Sequence, residues 1–236
     1  MAKICPGRLK GSDMGGGRRR RRGVLITFEG IEGSGKTTQL AGLAKALREE
    51  GYRVLETREP GGTPFAERIR EIFLGSPTES PATEPIAPEC EAHLILACRS
   101  QHVAHVIEPA LTEGTVVLCD RFSDSTLAYQ GYGRGLDVRL LRSLNRSATG
   151  GLSPDLTLLF DLPVTVGLAR RRQNEREQNR LDRETRRFHE RVRRGFLELA
   201  ARYPRRIKVL DGRSDPEAVA AEVASIVKKF FTRRYA

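Results

Sequence analysis

Five short apolar runs punctuate the chain, at 24–28 (Val-Leu-Ile-Thr-Phe), 54–55 (Val-Leu), 116–119 (Val-Val-Leu-Cys), 156–160 (Leu-Thr-Leu-Leu-Phe) and 207–210 (Ile-Lys-Val-Leu). Longer segments with apolar residues at helical spacing separate them: 36–50, 64–74, 89–108, 137–148, 164–174, 183–202 and 215–230. Strands that are nearly all apolar, alternating with charged helices, belong to a parallel sheet covered on both faces. The pattern predicts an α/β fold, a five-stranded parallel sheet flanked by helices. Residues 75–88, rich in Ser, Pro, Thr, Glu and Ala, read as an exposed loop, and residues 23–236 as one domain.

Composition narrows the class. The 236 residues are 39% hydrophobic and 30% charged, as in a soluble globular protein. No apolar run approaches the roughly 18–20 residues of a membrane span. Cys5, Cys90, Cys98 and Cys119 lie far apart with no CxxC, which argues against a disulfide framework or a zinc site and for a reducing, cytoplasmic compartment. Of the net charge of +11, residues 1–22 carry +7, from eight Lys/Arg against Asp13 alone, so the body is only mildly basic. The five arginines 18–22 run straight into the strand at 24–28 without the apolar stretch of a secretory signal. Residues 1–22 are expected to be a disordered, solvated leader, with Met14 as an alternative start, and no specific nucleic-acid partner is expected.

Directly after the first strand stands Gly30-Ile31-Glu32-Gly33-Ser34-Gly35-Lys36-Thr37, which fits G-x-x-x-x-G-K-[ST], and a helical segment follows. Glycines let backbone N–H groups curl around an anion, and the helix N-terminus adds partial positive charge. Lys36 is positioned to reach the β/γ-phosphates, and the Thr37 hydroxyl to ligate Mg²⁺. The chain therefore binds a nucleoside triphosphate in a P-loop three-layer fold. Two strands deliver a carboxylate at their C-terminal end, at Asp120 and at Asp161. Asp120 is preferred as the Mg²⁺ partner, partly through water, because Arg121 and a polar segment follow it. Asp161 reads as a cap for the helix beginning at Val164.

Four more stretches carry a family resemblance. They are Thr57-Arg58-Glu59-Pro60-Gly61-Gly62-Thr63; Leu96-Ala97-Cys98-Arg99-Ser100-Gln101-His102; Asp120-Arg121-Phe122-Ser123-Asp124-Ser125-Thr126-Leu127-Ala128-Tyr129-Gln130-Gly131; and Asn179-Arg180-Leu181-Asp182 ahead of Phe188-His189-Glu190-Arg191. With the phosphate loop they resemble the bacterial thymidylate kinase (dTMP kinase) family, in its order and spacing, over about residues 24–230. The resemblance implies transfer of the γ-phosphate of ATP to dTMP, giving dTDP and ADP on the way to dTTP. It also implies a homodimer and a helical lid at about 170–185.

The same resemblance assigns site residues. Arg58 and Arg121 are implied to hold the dTMP phosphate, as two guanidinium forks suit a dianion. Glu32 is implied to contact the sugar 3′-hydroxyl, and Arg99, Thr126, Tyr129 and Gln130 to line the nucleoside pocket. Ile95 stands where the family usually has an aromatic residue stacked on the thymine. Some family members carry a catalytic arginine inside the phosphate loop and others on the lid. Here the variable positions 31–34 hold no basic residue, so the charge is expected from the lid, where residues 170–194 include eleven arginines. Arg170, Arg171, Arg172, Arg176 and Arg180 are the candidates, Arg171 and Arg180 preferred. The dimer contact is expected on the helix around 89–108 through Ala92, Leu96, Val103 and Ile107. His102 and His105 are expected at the helix surface or the dimer interface, not on a metal.

Overall fold

The computed structural model describes residues 22–75, 84–173 and 179–235. Five strands, β1 (Val24–Glu29), β2 (Val54–Arg58), β3 (Val116–Asp120), β4 (Leu156–Asp161) and β5 (Ile207–Asp211), form one parallel sheet in the order β2-β3-β1-β4-β5. Alternate residues of β1 face opposite layers, as the two-residue pleat requires. Val24, Ile26 and Phe28 pack with α1 (Lys36–Glu49) and α9 (Pro216–Tyr235), through Leu40, Leu43, Leu47, Val219, Val223 and Phe231. Leu25 packs on the other face with Val103, Ile107, Leu111 and Phe122. A third apolar cluster joins α3 (Pro88–His102), the turn Leu127–Gly133 and α8 (Arg186–Arg202) through Ile95, Tyr129, Phe188, Val192 and Phe196.

The helices start where local chemistry allows. Thr63 caps α2 (Pro64–Leu74), accepting from the Ala66 N–H, with Pro64 in the first turn. Asp137 caps α6 (Val138–Ala148) and Thr185 caps α8. Two stretches differ from expectation. The long middle helix does not stop near 108; it passes through a π-helical turn, Val103–Ile107, into α4 (Glu108–Thr112). Residues 123–133, read only as a polar segment, are helical: α5 (Ser123–Thr126) runs on into a π-helical stretch, Leu127–Gly133. That segment lacked a visible helical period because Thr126, Tyr129 and Gln130 are all buried, so polar side chains occupy its inward side.

The residues expected at a dimer contact, Ala92, Leu96, Val103 and Ile107, are buried in the chain's own core. His102 is likewise buried, between Thr57 and Glu59, while His105 is exposed. A core stripe and an interface stripe share one helical period, and packing alone separates them. α7 (Val164–Arg172) is followed by a 3₁₀ turn, Arg180–Arg183, capped reciprocally by Asn179 and Asp182. Arg176, residues 76–83 of the stretch expected as a loop at 75–88, and residues 1–21 lie outside the described residues.

Candidate active site

Strand order reverses beside β1. The chain leaves it toward β2, returns to β3, then crosses to β4 and β5 on the other side. In open parallel sheets a crevice forms outside the strand ends at such a switch point. The register aligns Phe28 with Asp120 and Arg58 with Asp120, which gathers the phosphate loop, Arg58, Asp120 and Arg121 at one sheet edge.

The loop from Gly30 to Gly35 is held by left-handed glycines, with φ of 69° at Gly33 and 89° at Gly35. A side chain at Gly33 would collide with the Gly167 carbonyl of α7, so glycine here lets α7 abut the loop. Ile31 and Ser34 are buried beneath the turn. Lys36 Nζ folds back over it, donating to Gly30 O at 3.1 Å, Ile31 O at 2.8 Å and Ser34 Oγ at 3.1 Å. Burial, and then the neighbouring Arg121 charge, push the Lys36 ammonium down to about 8, against the pull of Asp120, Glu32 and Glu29. Thr37 Oγ1 donates to Asp120 Oδ2 at 2.8 Å, bringing two hard oxygen donors together at the loop's end. Among the described residues no group of three His, Cys, Asp or Glu is arranged to hold a metal. A Thr–Asp oxygen pair still suits Mg²⁺, which takes few protein oxygens when phosphates and water complete its shell.

Arg121 has a backbone φ of 68°, uncommon for a residue with a side chain, and this turns it back across the crevice. Its Nη1 donates to Gly30 O at 3.0 Å and its Nη2 to Glu32 Oε1 at 3.1 Å. Tyr129 OH donates to the same Glu32 oxygen at 2.6 Å. Burial opposes ionisation of Glu32, but Arg121, His189, Lys36 and Tyr129 outweigh it and hold this carboxyl far below the usual carboxylate range. Arg58 is exposed at the crevice mouth and donates to Glu67, which also accepts the Gly62 N–H.

Arg99 is fully buried. Four of its five N–H bonds are directed at Glu59 Oε2, Thr126 Oγ1, Asn145 Oδ1 and Phe122 O. Thr126 therefore serves as its acceptor, and Ile95 lies in the apolar cluster with Ile31 and Tyr129. Gln130 donates through Nε2 to Glu91 at 3.3 Å, which orients the amide and leaves its buried Oε1 without a partner. Arg180 does not stand on a solvated face: it donates to Glu91 Oε1 at 2.6 Å and to Phe73 O. Arg171 pairs with both oxygens of Asp182. Arg170 donates to Gly212 O, next to the loop residue Ser34, and Arg172 is exposed. Asp161 is no helix cap; both its oxygens accept from Arg193.

Several organising residues carried no sequence signal beyond being polar in an apolar setting. Glu29, the last residue of β1, is wholly buried and accepts from Phe122 N, Ser125 N and Ser125 Oγ. Burial, and then Asp124, push its carboxyl up to about 7. Glu91 binds Arg134, Arg180 and Gln130 at once, tying α3 to the 3₁₀ turn. Buried polar atoms without partners are rare in folded chains and mark places where something else completes the bonding. Here Glu32 Oε2, Gln130 Oε1 and both His189 nitrogens are such atoms.

Comparison with known proteins agrees with this geometry. The thymidylate kinase family model matches residues 28–223. A thymidylate kinase of Geobacter sulfurreducens is 53% identical over 217 residues, covering 90% of this chain and 100% of that protein. One of Thermomicrobium roseum is 55% identical over 209 residues, covering 89% and 96%. A crystal structure of thymidylate kinase from Ehrlichia chaffeensis superposes with a TM-score of 0.69 at 34% identity, covering 87% of this chain and 99% of that one.

Proposed function

The chain belongs to the thymidylate kinase family, and from that premise we propose that it transfers the γ-phosphate of ATP to dTMP, giving dTDP and ADP. The observation that carries the reading is the convergence of the loop-bound Lys36 with the Arg121–Glu32–Tyr129 set at one strand-end crevice. The loop from Gly30 to Thr37 takes the triphosphate on its N–H groups and the α1 N-terminus. Lys36 exchanges its loop carbonyls for phosphate oxygens, which it neutralises. Thr37 and Asp120 would hold Mg²⁺, which when bound supplies charge neutralisation on the phosphates. Arg58 and Arg121 fix the acceptor phosphate. Phosphoryl transfer needs little else from a protein than such positioning and charge.

Gln130 supports the choice of base. Its amide is oriented by Glu91, so the free Oε1 calls for a donor. The ring N3–H of thymine is one, whereas N3 of cytosine is an acceptor. Ile95 offers the ring an aliphatic contact, and the remaining Nη2 hydrogen of Arg99 a donor. The lid of about 170–185 supplies the charge that residues 31–34 lack, with Arg170 and Arg171, on α7 beside the loop, better supported than the Glu91-bound Arg180. We also read residues 23–236 as one kinase domain of a cytoplasmic homodimer. No helix among the described residues is long and apolar enough to cross a membrane. Pairing would use the exposed side of α3 and the turn after it, Ala97, Ser100 and Ala104, with exposed Phe65 and Ile72 on α2 and Leu140 on α6 as further apolar surface.

A coupled ADP-release assay across dTMP, dUMP, dCMP, dGMP and UMP tests the reaction. dTMP is expected to be turned over best, and faster turnover of dCMP or UMP would overturn the base assignment while leaving a kinase.

A further inference from the structure

His189 sits in the first turns of α8, fully buried, and both its ring nitrogens are inaccessible to solvent and without a hydrogen-bond partner. A neutral imidazole always carries one N–H, and leaving that donor unpaired inside a protein is costly. Among the described residues its one ion-pair contact is with Glu32: Nδ1 lies 3.4 Å from Glu32 Oε2, long for a hydrogen bond and near enough to tighten into one. The two oxygens of Glu32 are unequally served. Oε1 accepts from Arg121 Nη2 and Tyr129 OH, while Oε2 accepts from no group at bonding geometry. The carboxylate is ionised and acceptor-only, so Oε2 requires donors. One, His189 Nδ1, stands opposite it on α8, and among the described residues no second donor reaches it.

We propose that His189 is a positioning residue of the acceptor site: its Nδ1–H holds Glu32 Oε2 so that this oxygen receives a hydroxyl of the acceptor's sugar. The inference rests on the reading of Glu32 as the sugar contact. Arg121 and Tyr129 pull the carboxylate from one side, and without a donor on the other it is free to rotate about its terminal bond. Such a fixed acceptor gives selectivity, because a nucleotide lacking the hydroxyl leaves a buried carboxylate oxygen one donor short.

The test measures kcat and KM of the full chain with dTMP and with 3′-deoxy-dTMP. The wild-type chain is expected to lose about a hundredfold in kcat/KM when the hydroxyl is absent. His189→Phe keeps a buried ring without the donor, and should lower kcat/KM for dTMP about tenfold or more while changing it less than about threefold for 3′-deoxy-dTMP. His189→Asn, which presents an amide N–H near the position of Nδ1, should recover most of the discrimination, and His189→Leu, equally without a donor, replaces His189→Phe if that variant does not fold. Equal losses on both substrates in the donor-free variant, or discrimination no better in His189→Asn than in that variant, would mean that His189 serves only packing, and the proposal falls while the Glu32 reading stands. A wild-type chain indifferent to the hydroxyl would overturn both.

Discussion

The guanidinium of Arg121, at the end of β3, meets the carboxylate of Glu32 in the phosphate loop at 3.1 Å and lies 5.0 Å over the ring of Tyr129. One side chain thus ties the glycine loop after β1 to the π-helical stretch Leu127–Gly133. Glu29 sets it from behind: Ser125 Oγ, which donates to Glu29 at 2.6 Å, also receives Arg121 Nη1 at 3.3 Å.

Arg121→Ala should lower kcat/KM for dTMP by about a thousandfold or more, since it removes a charge acting on phosphate in a desolvated site. Arg121→Lys should recover only a small part, because an ammonium cannot serve Gly30 O, Glu32 and a phosphate as a fork does. A folded Arg121→Ala chain with wild-type turnover would falsify the acceptor-phosphate role.

ATP binding should take up protons above neutral pH. In the free chain Lys36 titrates at about 8, held down by burial and Arg121. A triphosphate beside the ammonium favours its charged form and raises that value. At pH 8.5 the free lysine is largely neutral and the bound one charged, so calorimetry in buffers of different ionisation enthalpy should register uptake of a fraction of a proton. Uptake should vanish near pH 6.5, where Lys36 is charged in both states, and in Lys36→Met.

Glu29 should shape stability against pH. Its carboxyl is raised from 4.5 to about 7, chiefly by burial. The folded state therefore binds this proton more tightly than the unfolded chain. The associated stability is fully present below about 4.5 and is lost as pH rises through about 7. Glu29→Gln removes that dependence, so its Tm measured relative to wild type should climb between pH 5 and pH 8. A constant difference would show that Glu29 does not titrate there.

The lid arginines should separate by role. Neutralising Arg170 and Arg171 together should cut kcat about a hundredfold, with dTMP affinity in the absence of ATP little changed, as fits a contact made only in the closed complex. Arg180→Ala should act on stability instead. It strips one partner from the buried Glu91 and should cost about 1–3 kcal/mol, read as a lower denaturant midpoint. Arg172→Ala, on an exposed side chain, should do neither.

The sequence by itself determined most of the frame. Apolar runs that alternate with helical periods specify a parallel sheet because both faces must be covered, and all five strands appear where those runs lie. The phosphate loop was legible because its chemistry is local: glycines, a lysine and a hydroxyl within eight residues make an anion cradle wherever a strand precedes and a helix follows. Only the tertiary structure decided which polar residues cooperate across distance. Glu32 and His189 are 157 positions apart in the chain, and Glu91 and Arg180 89 apart; no spacing rule links such pairs, because sheet order and helix packing bring them together. The same holds for the stripe along α3 and the π-helical turn that follows it. Ala92, Leu96, Val103 and Ile107 have a period that fits an interface or a core equally well, and the neighbouring elements chose the core. Period and composition state that a side chain is to be buried; what it is buried against depends on the rest of the fold.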